Sequence, residues 1–427
     1  MLILVTGATG FIGSALVERL QHGGHALRVA VRDPAAALAR WPGIDARAVD
    51  FASATRPDAW RPLLEGVGAV VNTVGIIREA RGQTFRNLHV EAPVALFDAA
   101  SAAGVERFIQ VSALGADAGA VSAYHRSKRE ADEALASRHS HAVIVQPSLV
   151  FGAGGQSARL FLRMAAAPVQ MLPGQGRQRV QPIHVDDLCD AIAGLIEVDR
   201  MPPRIAAVGP QCLELRQYLS LLRAALGAGR AWQLRVPVSL MRVIARIGDR
   251  FARMPIDSER LAMLERGNCA DAGPIIALLG RSPRAASAFI PRPEAERLLR
   301  EQRVQFATTW LRWSLALVWI VSGVVSLGLW PIEQSLAMLA RVGLHGSLAS
   351  VALYGAAALD IAFGIGTLVL AGAPLRRLYE AQMVLIAGYT LLIGMFLPEL
   401  LLHPFAPIVK NLPMLAALVL LRWSERA

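Results

Sequence analysis

Over the first 150 residues, short apolar runs alternate with longer stretches of mixed polarity. The runs fall at 1–6, ALRVAVRD (26–33), about 45–50, GAVVNT (68–73), RFIQVS (107–112) and HAVIVQ (141–146). They are short, rich in Val and Ile, and apolar on both faces, the pattern of strands in a parallel sheet covered on both sides. Helical periodicity fills the gaps near 7–22, 57–65, 84–103 and 122–138. Strand and helix in strict alternation predict a doubly wound α/β fold. Residues 147–280 are less regular. Helices are expected near 185–198, 214–226, 238–252 and 256–266, with strands near 179–183 and 204–208, as a smaller domain over a ligand cleft. SPRAASAFIPRPEAERLLREQR (282–303) reads as a linker ending in a surface helix.

The pattern then changes. Four apolar segments follow, at about 310–330, 347–372, 378–397 and 405–422. Each approaches the roughly 20 residues that span a bilayer, so an all-α bundle of about four transmembrane helices is expected. The predicted domains are 1–230, 231–305 (helical extension and linker) and 306–427. Basic residues orient the spans. Arg300, Arg303, Arg312, Arg376, Arg377, Arg422 and Arg426 fall on one side if there are four. The other side holds Arg341, His345, Glu399 and His403. Positive residues stay in the cytoplasm, which predicts a bacterial-type inner (plasma) membrane protein with its N-terminal domain inside the cell. MLILVTGATG does not read as a signal peptide: its apolar run is short and broken by glycines.

Composition adds little. Apolar residues make up 54 % and charged residues 18 %, and the net charge is +11. The arginines are scattered with few aromatics among them, so no stacking platform for nucleic acid is seen and none is expected as a partner. Cys189, Cys212 and Cys269 form no CxxC pair and have no His at ligand spacing. They read as small core residues in a reduced setting, and no metal site is expected.

The chemistry begins at TGATGFIG. Gly7 permits a tight turn after the first strand. Gly10 lets backbone approach a pyrophosphate, and Gly13 lets helix pack on strand. With Thr9, Phe11 and Ile12 they predict a dinucleotide site at a helix N-terminus. At the end of the second strand stand Val31, Arg32 and Asp33. Arg32 as the terminal residue would pair with the 2′-phosphate of NADP; Asp33 there would favour NAD. NADP(H) is the favoured expectation.

The spacing Gly7-x-x-Gly10-x-x-Gly13 resembles extended and atypical short-chain dehydrogenases/reductases, of NAD-dependent epimerase/dehydratase type. Asp50 and Phe51 resemble the pair beside adenine, and Asn72-Thr73-Val74-Gly75 the turn that walls the cofactor. Tyr124-x-x-x-Lys128 lies in SAYHRSK, Pro147-Ser148-Leu149-Val150-Phe151-Gly152 resembles the segment beside nicotinamide, and PIHVDD (182–187) a substrate-domain segment. The resemblance implies a Rossmann fold over about 1–230, with Val74, Tyr124, Lys128 and Pro147 among the cofactor contacts. Tyr124 and Lys128 share a helix face, and an ammonium near a phenol favours phenolate, so a lowered tyrosine pKa is expected. Such a tyrosine exchanges a proton with substrate oxygen. Ser112 stands where the resemblance implies a carbonyl-polarising hydroxyl. Many extended members carry it one residue later, where this chain has Ala113.

VSALGA, Arg32 and the NTVGI turn resemble bacterial relatives of the nucleotide-binding accessory subunit of mitochondrial complex I. The C-terminal spans are similar to the DoxX-like membrane family. Three functions follow as expectations. One is a membrane-anchored NAD(P)H-dependent oxidoreductase, epimerase or dehydratase acting on a small apolar substrate: lipid, isoprenoid or quinone-like. Another is a non-catalytic NADPH-binding assembly or sensor protein with a membrane-complex partner. The third is a membrane bundle with a regulatory nucleotide domain. Asp360, deep in the second span, is an intramembrane candidate with Lys410 as its expected partner.

Overall fold

The computed structural model describes residues 1–80, 82–139, 142–198, 202–250, 257–400 and 408–425. The chain divides into two compact units, Met1–Arg300 and Glu301–Ala427.

The first unit is built on a seven-stranded parallel sheet. Its strands are β1 (Leu2–Thr6), β2 (Ala26–Val31), β3 (Asp45–Ala48), β4 (Val67–Asn72), β5 (Arg107–Val111), β6 (Ala142–Pro147) and β7 (Arg204–Ala207). Their order is β7-β6-β5-β4-β1-β2-β3, reversing direction at β1/β4. Such a reversal opens a crevice at the carboxyl ends of the strands, where ligands bind in folds of this type. Alternation along each strand divides the core. Ile3, Val5, Val29, Val71 and Ile109 face a layer formed by α1 (Phe11–His22), Val185–Glu197 and Gly273–Leu279. Leu4, Val70 and Phe108 face Leu96 and Phe97 of α2 (Ala92–Ala102) and Trp60.

The expected strands form. Helix 57–65 instead resolves into two 3-10 turns, Pro57–Ala59 and Arg61–Leu63, because Pro57 and Pro62 break the hydrogen-bond ladder. The strand near 204–208 joins the main sheet beside β6 rather than a separate domain. The expected strand 179–183 becomes two fragments, Arg179–Val180 and Ile183–His184. A parallel pair, Val169–Pro173 with Trp232–Val236, was not expected.

The cysteine expectation fails for two of three. Cys212 and Cys269 are disulfide-bonded with Cα atoms 5.7 Å apart; Cys189 alone is a buried thiol. The two lie 57 residues apart, and pairing of both Leu213 and Asn268 with Val180 brings them together. Spacing in sequence carries no sign of that.

Among the described residues three helices are long and apolar enough to cross a membrane: Arg292–Leu329 (α-helical to Val324), Gly346–Val369 and Ala373–Phe396. The first is continuous with the residues expected as a linker, so 292–303 are helical. A fourth apolar helix, Asn411–Ser424, has 14 residues, and 401–407 of the expected fourth span lie outside the described residues. Glycines allow a close crossing of the first two of these helices. A Cβ on Gly323 would stand 2.6 Å from the Ala357 carbonyl oxygen, and one on Gly364 2.8 Å from that of Ala316. Small residues let helix backbones approach in this way. Asp360 is buried and accepts a hydrogen bond from Ser322 Oγ at 2.8 Å. The expected Lys410 partner is instead exposed at the start of the fourth helix.

Candidate functional site

At the crevice, β1 ends in the glycine turn. Gly7 has φ +72°, a conformation that glycine adopts without a Cβ penalty. Its missing Cβ would stand 2.7 Å from Thr73 Oγ1. The Gly10 N–H donates to the Gly7 carbonyl at 2.9 Å, and Gly10 is the N-cap of α1 without a side-chain capping bond. No acidic residue occupies the first turn. The first N–H groups of α1 therefore face the crevice unclaimed by a carboxylate, with the positive end of the helix dipole. A Cβ on Gly13 would lie 2.1 Å from the Gly7 carbonyl oxygen, so a larger residue would push α1 off the turn. Thr9 is exposed, and Phe11 and Ile12 are partly buried. These features fit the pyrophosphate of a dinucleotide.

Sequence reasoning missed how Phe11 is seated. A Cβ on Gly155 would lie 3.0 Å from its ring, and one on Gly152 3.2 Å. Two glycines after β6 thus make room for the residue that opens α1.

Asp33 is committed. Its carboxylate accepts the Ala36 N–H at 3.1 Å and caps helix Pro34–Arg40. Arg32, the first residue after β2, is exposed and has no ion pair with a described residue. Asp50 folds into its own turn, accepting from Ala52 N at 3.3 Å, while Phe51 is buried edge-on against Trp60.

A buried polar row crosses the strand ends. Thr6 Oγ1 donates to Asn72 Oδ1 at 2.6 Å, and Asn72 Nδ2 donates to Gln110 Oε1 at 2.7 Å. Asn72 Oδ1 also accepts the Val74 N–H at 3.1 Å, which shapes the turn after β4. Sharing one acceptor between strand and turn fixes the backbone beside the crevice.

Tyr124 and Lys128 project from α3 (Ala123–Arg138), which Ser122 caps. Lys128 is buried. Its ammonium donates to the Val74 and Val111 carbonyls, each at 3.1 Å, bridging the end of β5 to the turn after β4. Burial pushes its pKa down to about 8, against the pull of Asp132. Tyr124 is partly buried, with its ring edge-on to His89 at 5.6 Å and to Phe85 at 6.3 Å. Its pKa is not lowered as the Tyr/Lys pair alone predicted. Burial, and then the Asp132 carboxylate, push it up to about 12, so the phenol keeps its proton. Desolvation of a phenolate sets the direction, and the two carbonyls take two of the three Lys128 N–H donors.

Five further residues were not singled out from sequence. His89 is fully buried; its Nε2 accepts the Ile76 N–H at 3.0 Å, so Nδ1 carries the proton and donates to Ser127 Oγ at 2.8 Å. Ser127 Oγ in turn donates to the Tyr124 carbonyl at 2.8 Å. Burial, with Lys128 adding to it, lowers the His89 pKa to about 2, which keeps the ring neutral. Asp132 is buried one turn after Lys128 and accepts from Ser112 Oγ at 2.6 Å and from Gln146 Nε2 at 3.3 Å. Burial raises its pKa to about 6. The proton of Ser112 is therefore directed at Asp132, and Ala113 beside it is buried. From Ser258–Arg266, Glu259 accepts the Ala123 N–H at 2.8 Å, and Arg266 donates to the Gly115 carbonyl at 2.7 Å and to Asp117. The i, i+4 spacing of Asp132 from Lys128 was a signal in the sequence. Nothing local pointed to His89, Glu259 or Arg266.

Pro147 accepts the Leu114 N–H at its carbonyl, 2.9 Å, which ties the segment after β6 to the loop after β5. In the 182–187 segment, Asp187 is buried and takes the Arg284 N–H at 2.8 Å, and His184 caps the helix that follows. Both hold structure together at the start of that helix.

Comparison with known proteins gives matches in both parts of the chain. Residues 3–209 match the NAD dependent epimerase/dehydratase family, and residues 316–419 match the DoxX-like family. The chain thus carries an epimerase-type nucleotide-binding domain followed by a DoxX-like membrane domain. A ceramide reductase of Caulobacter vibrioides is 34 % identical over 202 residues, 47 % of this chain and 61 % of that protein. Subunit 9 of the NADH dehydrogenase [ubiquinone] 1 alpha subcomplex of mouse mitochondria is 30 % identical over 212 residues, 48 % of this chain and 56 % of that protein. The chain thus spans less than two thirds of either relative. Among solved structures, an NADPH-dependent quinone oxidoreductase from Escherichia coli in complex with NADPH aligns with TM-score 0.54 at 20 % identity. That alignment covers 67 % of this chain and 98 % of the other. UDP-glucuronic acid 4-epimerase from Bacillus cereus, with UDP-glucuronic acid and NAD, aligns with TM-score 0.53 at 19 % identity, covering 70 % and 99 %. At these identities the structures speak for the fold alone.

Proposed function

We propose that the protein is a membrane-anchored, NADPH-dependent reductase of an apolar carbonyl compound. The observation that carries this is the pair Tyr124 and Lys128, one turn apart on α3, with the buried Lys128 clamped to the end of β5 and the turn after β4. A bound nicotinamide would supply hydride to the carbonyl carbon. Tyr124 then gives its proton to the carbonyl oxygen, and the two together make the alcohol. A phenol with a raised pKa is in the state that proton donation needs. Lys128 holds the ribose hydroxyls and favours the phenolate left after transfer.

Arg32, unpaired at the end of β2 while Asp33 caps a helix, supports NADPH over NADH. Likeness to a ceramide reductase supports a lipid carbonyl ahead of an isoprenoid or quinone. The arginines flanking the apolar helices support a cytoplasmic first unit on a bacterial inner membrane. Ser112 contributes through Asp132 rather than by touching the substrate.

A second reading has its own support. With Ala113 apolar and the Ser112 proton directed at Asp132, no hydroxyl is reserved for a carbonyl. Likeness to a complex I subunit fits a nucleotide-holding assembly protein with a membrane-complex partner. NADPH oxidation by the full chain in phospholipid vesicles, with a long-chain keto lipid added, separates the two. Consumption of NADPH that stops in Tyr124→Phe supports the reductase. Equal, background rates in both proteins support the assembly reading.

A further inference from the structure

The unexpected strand pair exposes an apolar face. Trp232 pairs with Val169 and Leu234 with Met171. All four point one way, while Gln170 and Leu172, on the other face of their strand, are buried. Trp232 is 83 % exposed, an extreme value for the largest side chain in a soluble unit; the other three are 48–52 % exposed.

Pro237 turns the second strand directly into helix Val238–Gly248. At 100° per residue this helix has three stripes. Met241, Ala245 and Gly248 are buried. Leu240, Val243 and Ile247 form a second apolar stripe, 47–50 % exposed. Arg242 and Arg246 lie beside it, both exposed, and Arg242 pairs with Glu265 at 3.3 Å. Over 230–250 there are five arginines, at 230, 235, 242, 246 and 250, against one acidic residue, Asp249. A contiguous apolar face with Trp at one end and an arginine flank is the composition of a surface that lies in the headgroup region of an anionic bilayer. Three of the described helices are also long and apolar enough to cross a membrane, which would keep a bilayer within reach of this face.

We infer that the face built by Val169–Pro173, Trp232–Val236 and Val238–Gly248 seats the first unit in the surface of an anionic bilayer. It adjoins the tyrosine end of the crevice. Val236, Met241 and Ala245 share a small core with Leu261 of Ser258–Arg266, the helix whose Glu259 and Arg266 hold Ala123 and Gly115. Arg78, in the loop after β4, donates to the Asp249 carbonyl at 3.3 Å. That an apolar substrate enters the crevice from the lipid rests on the function proposed above; the docking itself does not.

The test uses tryptophan fluorescence of the full chain in vesicles of phosphatidylcholine and phosphatidylglycerol, three to one, with and without bromine on the upper acyl chain. Subtracting the Trp232→Phe spectrum from wild type isolates Trp232. The tryptophans of the apolar helices cancel, because both proteins retain them. The docked face predicts a Trp232 signal quenched about twofold by bromine, with Arg242→Glu/Arg246→Glu relieving the quenching. A Trp232 signal that bromine leaves unchanged would overturn the inference and assign the face to a protein partner or to another part of the chain. Quenching that the double charge reversal leaves intact would also overturn it, since anionic lipid would then have no part. Neither outcome depends on turnover, so an inactive protein still reports on the surface.

Discussion

At the glycine end of the crevice the chain presents backbone, and at the tyrosine end it presents side chains. Around Gly7, Gly10 and Gly13 the binding groups are N–H donors of a turn and of α1, and side chains are excluded because there is no room for them. Around Tyr124 each polar group hands its hydrogen to another: His89 to Ser127, Ser127 to the Tyr124 carbonyl, Lys128 to Val74 and Val111, Ser112 to Asp132. The first arrangement is short in sequence. The second collects residues from 72 to 266. Backbone donors suit a charge that every member of a cofactor class shares. Side-chain networks suit a proton that must sit on one atom at one moment.

If the ends are separable, Tyr124→Phe removes chemistry alone. NADPH oxidation should fall by about 10²–10⁴-fold with the NADPH Kd unchanged, by rapid kinetics and titration on one preparation. A Kd that shifts as far as the rate would erase the distinction. Gly13→Val attacks the other end. Its side chain meets the Gly7 carbonyl, and NADPH affinity should drop by about 100-fold or more, roughly 2.7 kcal/mol, in a protein that keeps its circular dichroism.

Lys128 joins the two. Its pKa of about 8 means the ammonium is lost as pH rises through 8, so kcat/KM should decline above that value. In Lys128→Met it should be low and flat across the same range. Arg32→Ala should raise the NADPH Kd by about tenfold and leave the NADH Kd unchanged, since its partner is the extra phosphate.

The smallest effect is on stability. The His89 pKa is depressed from 6.5 to about 2, and that of His125, by burial and then Arg266, to about 4. A depressed folded pKa gives stability that is present above 6.5 and lost as pH falls below it. The melting temperature in detergent should drop between pH 6.5 and 4, and less steeply in His89→Asn. A melting temperature that rises over that range would mean the rings are charged in the folded state.

The glycine end was legible because three glycines at fixed spacing between a strand and a helix specify their own geometry. The strand positions were legible as apolar runs, whereas their order in the sheet is a property of the fold. At the tyrosine end, Tyr124 and Lys128 were legible through one helix turn, but not the direction of the tyrosine's shift. That direction depends on burial and on Asp132, and the carbonyls that occupy Lys128 lie 17 and 54 residues away. Glu259 and Arg266 come from a segment with no chemical motif. The Cys212–Cys269 bond and the face around Trp232 were hidden too, because each is made by pairings between distant, ordinary residues.

Calorimetric titration of the full-length protein with NADPH, beside Gly13→Val, tests the central claim most directly. Saturable one-to-one binding with a Kd in the micromolar range, about −8 kcal/mol, lost in the variant, is the predicted result. Heats indistinguishable from buffer for both NADPH and NADH in the wild-type protein would contradict it.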